Sequence, residues 1–262
     1  MTRIPVVFIH DVWLHASSWQ AWARRFGEHG FSVVVPRWPG EDRGVTGTLR
    51  DPSGLGEVGL EALTAHYSRL TRSLGTAPVL IGHGVGGLVA QQLLGANLGC
   101  AAVAIAAVPI NDIPWALPTE LEPTSFADPI DPGPIRLPPS DFRKVFANTT
   151  DADEAADLFE RFVIAAPPRL LTDIGGSDGS ARRYADVDNR RRGPLLLISG
   201  QEDRLVPDAV TRSVYKLYGD SSAVSELKQF ADRGHCLVID RGWRSIADHV
   251  LAWLDAHGIR PR

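Results

Sequence analysis

The stretch Val79-Leu80-Ile81-Gly82-His83-Gly84-Val85-Gly86-Gly87-Leu88-Val89-Ala90-Gln91-Gln92-Leu93-Leu94 passes without a break from a strand-like apolar run into a helix-forming one. A corner between them falls on Gly82 to Gly86. A tight turn there needs small flanking residues, because a Cβ would collide with the adjoining strand or helix, and Gly82 and Gly86 meet that need. The helix that follows would point backbone N–H groups at any anion lodged on the corner.

Outward from this corner, short apolar runs alternate with helix-period segments, the pattern of parallel strands joined by crossover helices. Strands are expected at Pro5 to Ile9, Phe31 to Val35, Pro78 to Ile81, Ala101 to Ala106, Pro194 to Ser199 and Val224 to Phe230. Most are apolar throughout, as strands covered on both faces should be. Ser18 is expected to cap a helix that turns Trp19, Trp22 and Phe26 inward. Leu60, Leu63, Tyr67, Leu70 and Leu74 mark the buried side of another, and helices should follow Pro207 and span about Trp243 to Ala256. The expected fold is α/β: a doubly wound, mostly parallel sheet of about six strands.

Residues 108–192 break the alternation, so residues 1–107 and 193–262 read as two parts of one core with a lid or cap inserted between them. The insertion opens with a proline-dense stretch in which neither a long helix nor a central strand persists. Ser140 can then cap a short helix through Asn148, and Asp151 or Asp153 can start one that buries Leu158, Phe159 and Phe162. The stretch 178–193 reads as the return linker.

The 262 residues carry 27 basic and 31 acidic side chains, a net charge of −4 without blocks of one sign. Nucleic acid and anionic membrane are therefore not expected partners. Cys100 and Cys236 are too few for a disulfide framework, and neither a signal-peptide core nor a membrane-length apolar run is present. A cytoplasmic location is expected. The 24 arginines against 3 lysines, with abundant Ala, Gly and Pro, point to a GC-rich bacterial genome.

In chain order, FIHDVWLHASSW, IGHGVGG, SGQEDRLVP and DRGHCLVID together resemble the α/β-hydrolase superfamily, and most closely its lysophospholipase- and esterase-like branch, along almost the whole chain. The resemblance implies an acid at Asp203, a base at His235, oxyanion-binding amides at Val12 and Val85, and a nucleophile at position 84. That position is Gly84, which has no side-chain atom for an acyl intermediate. Asp11 stands where the family has glycine, and Cys236 where this branch has serine. The three departures together favour native divergence over a single inactivating Ser→Gly change.

What remains is a His235–Asp203 dyad, expected to act as general base on a small apolar metabolite bearing a carbonyl or a phenol. Elimination, isomerisation, cyclisation and cofactor-free oxygenation all start from such a proton abstraction, and bacterial secondary metabolism would be a plausible setting. The alternatives are ester or thioester hydrolysis by a His-activated water in the space left at Gly84, and a ligand-binding module without catalysis. Asp11 is a possible acid or base, Glu202 and Asp112 are reserve acids, and His83 and His10 are read as structural. His15, Ser17 and Ser18 read as a helix entry. Trp13, Trp38, Trp115, Phe126, Phe142 and Phe146 are expected to line the substrate pocket. With the histidines dispersed and no dinucleotide fingerprint, no metal and no cofactor are expected.

Overall fold

The computed structural model describes residues 3–42, 44–121, 133–175 and 183–261. Six strands form one all-parallel sheet: β1 (Pro5–Ile9), β2 (Ser32–Val34), β3 (Val79–His83), β4 (Ala101–Ile105), β5 (Leu195–Gly200) and β6 (Ser225–Phe230), in the order β2-β1-β3-β4-β5-β6. Every residue of β1, β3, β4 and β5 is buried, whereas the edge strands β2 and β6 are partly exposed. This explains why the four inner strands are apolar at consecutive positions while β6 carries Glu226 and Lys228.

Helices cover both faces: α1 (Gln20–Glu28), α2 (Val45–Arg50), α3 (Leu60–Ser73), α4 (Val85–Gly95), α5 (Ala152–Phe162), α6 (Pro168–Gly175), α7 (Asp208–Leu217) and α8 (Trp243–Ala256). Helix α4 is buried at all but one position, which suits a segment apolar on every side. Trp22 and Phe26 on α1 meet Phe8 of β1, with ring centroids 6.3 and 5.3 Å from it, and Trp19 lies 4.9 Å away. Ser18 does not cap α1. A 3-10 turn, Ala16–Trp19, precedes the helix, and the His15 ring accepts from the Ser17 amide at its start.

Part of the chain between β4 and β5 packs onto the loop after β1. Leu14 bridges to Val163, the Trp13 indole donates to the Ile135 carbonyl (3.1 Å), and the Ile164 amide donates to the Trp13 carbonyl (2.9 Å). Of the two expected starts for α5, Asp151 is the cap, its carboxylate accepting from the Glu154 amide at 2.8 Å. Leu158 and Phe162 are buried and Phe159 only partly. Ser140 lies inside a short turn that begins at Pro139, since proline needs no amide partner in a first turn, and the chain then widens into a π-helical turn at Phe142–Phe146. Helix α6 was not expected from the sequence. Its Asp173 accepts from the Leu60 amide at 2.9 Å and so satisfies the start of α3, whose own cap position is glycine.

From β1 the chain crosses to β2 on one side and then returns past β1 to β3 on the other. Loops leaving the carboxyl ends of β1 and β3 therefore diverge, and the crevice between them is where open α/β sheets place their chemistry. Asp11 leaves β1 on one side of it, and Gly84 ends β3 on the other.

Candidate active site

Gly84 sits at the apex of the β3–α4 corner with φ 54° and ψ −117°, a conformation that strains any residue with a Cβ. A Cβ on Gly82 would overlap the Gly86 backbone, and one on Gly86 would overlap the Ile9 carbonyl. The corner thus has the sharp geometry its glycines require.

The space beyond the apex is filled. A Cβ at Gly84 would overlap the carboxylate of Asp11. Asp11 Oδ1 accepts from the Val85 amide at 2.7 Å, and its Oδ2 lies 2.9 Å from His235 Nε2. On the far side of the ring, His235 Nδ1 meets Asp203 Oδ2 at 2.8 Å. Asp203 Oδ1 accepts from the amides of Leu205 and Val206 at 2.8 and 2.9 Å, so one carboxylate both closes the turn after β5 and orients the histidine. His235 is wholly buried and Asp11 is 1% exposed.

Burial alone would lower the His235 pKa. The Asp203 charge and hydrogen bonding to both carboxylates outweigh it and raise the value to about 10. Burial would likewise raise Asp11, but the bond to His235, the nearby His83 and the Val85 amide hold it below the usual carboxylate range. The resting array is carboxylate, imidazolium, carboxylate. It differs from the sequence expectation in two ways: the Val85 amide is engaged by Asp11, and no space remains at Gly84 for an activating water.

His83 lies under this array. Its Nε2–H donates to the His235 carbonyl at 2.9 Å, its ring centroid is 4.6 Å from that of His235, and burial helps push its pKa down to about 3. Its Nδ1 is buried with no hydrogen-bond partner among the described residues. One donor atom from each of Asp11, His83 and His235 lies within 4.8 Å of the other two. Dispersal along the chain was therefore a poor guide to which histidines meet, since the fold gathers the last residue of β3 with residues from the loops after β1 and β6.

Of the expected pocket residues, Phe146 meets His235 edge-on at 5.0 Å and Trp13 at 6.0 Å, and Phe142 stacks on Phe146 at 5.5 Å. Trp38 instead stacks on His10 at 4.3 Å, and the Trp115 indole donates to the Leu205 carbonyl at 2.9 Å, bracing the Asp203 turn. Phe126 lies outside the described residues. Val12 is buried beside Asp11. Glu202 is exposed, Asp112 is close enough to Arg183 to act on its charge, and neither meets His235. His10 bonds the Asp11 carbonyl through Nδ1 (3.0 Å) and also faces Glu41, a buried carboxylate the sequence reading missed. No sequence signal marked it, since Glu41 stands in a loop that also carries Arg37, Asp42 and Arg43. Cys236 is buried, with a thiol pKa raised by burial and nearby carboxylates.

Residues 6–249 match the profile of the alpha/beta hydrolase family, and the chain belongs to that family. No curated protein matches it. Among solved structures, the chain is similar to a methylesterase from Arabidopsis (17% identity, TM-score 0.70, 96% of this chain and 99% of that one). It is also similar to a monoacylglycerol lipase from Paleococcus ferrophilus (19%, 0.69, 97% and 94%) and to a pyrethroid hydrolase from Sphingobium faniae (18%, 0.64, 97% and 98%). At such identities the likeness is one of fold. No described helix is long and apolar enough to cross a membrane.

Proposed function

We propose that this chain is an enzyme of the family that works without a nucleophilic serine, using Asp11 and His235 as an acid–base pair on a small apolar molecule bearing a carbonyl or phenol-type hydroxyl. The reactions in reach are elimination, isomerisation and cyclisation. One observation carries the reading: the Asp11 carboxylate stands over the Gly84 apex, bonded at once to the Val85 amide and to His235. Nothing at that apex can form an acyl-enzyme.

Because His235 rests protonated, it starts as the acid. Its Nε2 proton passes to a substrate carbonyl oxygen while Asp11 takes a proton from the adjacent carbon, leaving an enol; the reverse transfers restore both groups. Asp203 holds the imidazole in register throughout. Such general acid–base catalysis contributes about 10²–10⁴ in rate. An oxygenation begun by a neutral histidine base is less well supported, since the two carboxylates keep the ring charged.

The test is deuterium exchange. Small aryl ketones and β-hydroxyketones are incubated with the protein in D₂O and followed by NMR; label should enter next to the carbonyl with the native chain and be lost with Asp11→Asn and with His235→Gln. Exchange unaffected by both substitutions, or ester turnover by the native chain without any exchange, would overturn the reading.

A further inference from the structure

The same crevice holds a donor set that acid–base chemistry leaves partly unused. His83 plays no part in the proton transfers, yet its Nδ1 is buried without a partner among the described residues, a costly state for a polar atom. Its tautomer is set by the neighbour: Nε2–H is spent on the His235 carbonyl, so the lone pair is on Nδ1. His235 is arranged similarly, with Nδ1 against Asp203 and Nε2 facing Asp11. A histidine whose second nitrogen is fixed by a carbonyl or carboxylate is the usual form of a metal-bound imidazole.

We propose that Asp11, His83 and His235 form a binding site for a divalent first-row transition-metal ion, with Asp203 and the His235 carbonyl as its outer supports. Two imidazoles and one carboxylate are a nitrogen and oxygen set suited to Zn²⁺ or Fe²⁺, and three protein ligands leave positions open for water or substrate. One ligand atom from each of the three residues already lies within 4.8 Å of those of the other two. Bonds of about 2.1 Å would set them about 3.4 Å apart in a tetrahedral site. Asp11 and His235, now 2.9 Å apart, would open by roughly half an ångström. Binding exchanges the proton between them for the ion: Nε2–H is released to solvent and the lone pair goes to the metal. The exchange of Asp11 for the family's glycine and Gly84 for its serine gains a purpose, since one supplies an anionic ligand and the other makes room for it. The bound ion would polarise the same substrate carbonyl that His235 protonates in the metal-free chain, so the inference shares the site of the proposed function but is read without turnover.

The experiment uses the full chain, refolded from denaturant with Zn²⁺ alone, dialysed and assayed for metal, then repeated with Co²⁺ for its visible spectrum. One equivalent of Zn²⁺, proton release on binding by calorimetry in two buffers, and the intense spectrum of tetrahedral Co²⁺ are expected. Affinity should fall at least tenfold in Asp11→Asn and His83→Gln, by about 10–100-fold in Asp203→Asn, and not at all in the exposed His29→Gln. Absence of stoichiometric metal in the native chain, a weak octahedral Co²⁺ spectrum, or binding indifferent to Asp11→Asn and His83→Gln would overturn the site. The native spectrum and proton release decide the matter should a variant fail to fold. Deuterium exchange by the metal-free protein alongside failed metal binding would leave the acid–base reading standing alone.

Discussion

Two consecutive residues at the end of β1, His10 and Asp11, each belong to a buried histidine–carboxylate contact, and the two contacts are built differently. In the Asp11–His235–Asp203 array both ring nitrogens face carboxylates at 2.8 to 2.9 Å, and the spare oxygens of both aspartates accept backbone amides. In the other, His10 Nε2 and Glu41 Oε1 are 3.0 Å apart but out of hydrogen-bond alignment, and neither Glu41 oxygen accepts a hydrogen bond among the described residues. Satisfied on every side, the first holds a proton in a defined place; the second fills space against Trp38. Closeness of opposite charges is thus a weaker sign of chemistry than the completeness of the hydrogen bonds behind them.

The comparison breaks most visibly if His235 is removed. His235→Ala leaves Asp11 and Asp203 buried without the cation between them, which should cost about 3–5 kcal/mol in urea unfolding. A loss no larger than that of His10→Ala would erase the distinction. Next in size is the crowding at the apex: Gly84→Ser should be destabilised by about 1–3 kcal/mol because its Cβ meets Asp11. The same variant should fail to react with serine-directed fluorophosphonates. The double variant Asp11→Gly with Gly84→Ser relieves the overlap, frees the Val85 amide and should recover both stability and labelling; labelling by Gly84→Ser alone would show that Asp11 does not hold the apex.

A pH series sharpens the comparison further. With His235 raised from its ordinary 6.5 to about 10, its stabilisation is complete below pH 6.5 and is lost as pH climbs through about 10. His83, lowered to about 3, acts in the other direction, costing stability only below pH 6.5 where the unfolded chain takes up its proton. Melting temperature should therefore fall between pH 7 and 10 in the native chain, and His235→Gln should flatten that fall. The smallest effect is expected at Glu41→Gln, which keeps the shape of a side chain whose oxygens accept no hydrogen bond among the described residues: a change within about 1 kcal/mol, with the imidazole NMR signals of His235 unmoved. A shift of those signals would join the two contacts into one network.

The architecture was legible because it is written in local patterns. The apolar runs located all six strands to within a residue or two, and the glycines around His83 announced the corner. Asp203 and His235 followed from motif order. What stayed hidden depends on side chains meeting across the crevice from distant loops. Asp11 read only as a departure from the family's glycine and a possible acid or base, because its own sequence neighbourhood cannot show that it reaches over Gly84. His83 looked like packing because its bare nitrogen is defined only by the His235 carbonyl. The aromatics misled for a related reason: composition gives rings, and only packing distinguishes Phe146, which touches His235, from Trp38, which covers His10.

The resting array also acts as a filter on what can enter. With His235 protonated, the two carboxylates and the imidazolium sum to one net negative charge, held by backbone amides rather than by a second cation, at a buried site where electrostatic interactions are several times stronger than at the surface. A molecule carrying its own carboxylate or phosphate close to the reacting centre would be repelled before any contact formed, while a neutral one would pass. Loading an ion in place of the shared proton would cancel that charge and widen the range of admissible guests to anions, so metal supply would act as a selector of substrate polarity.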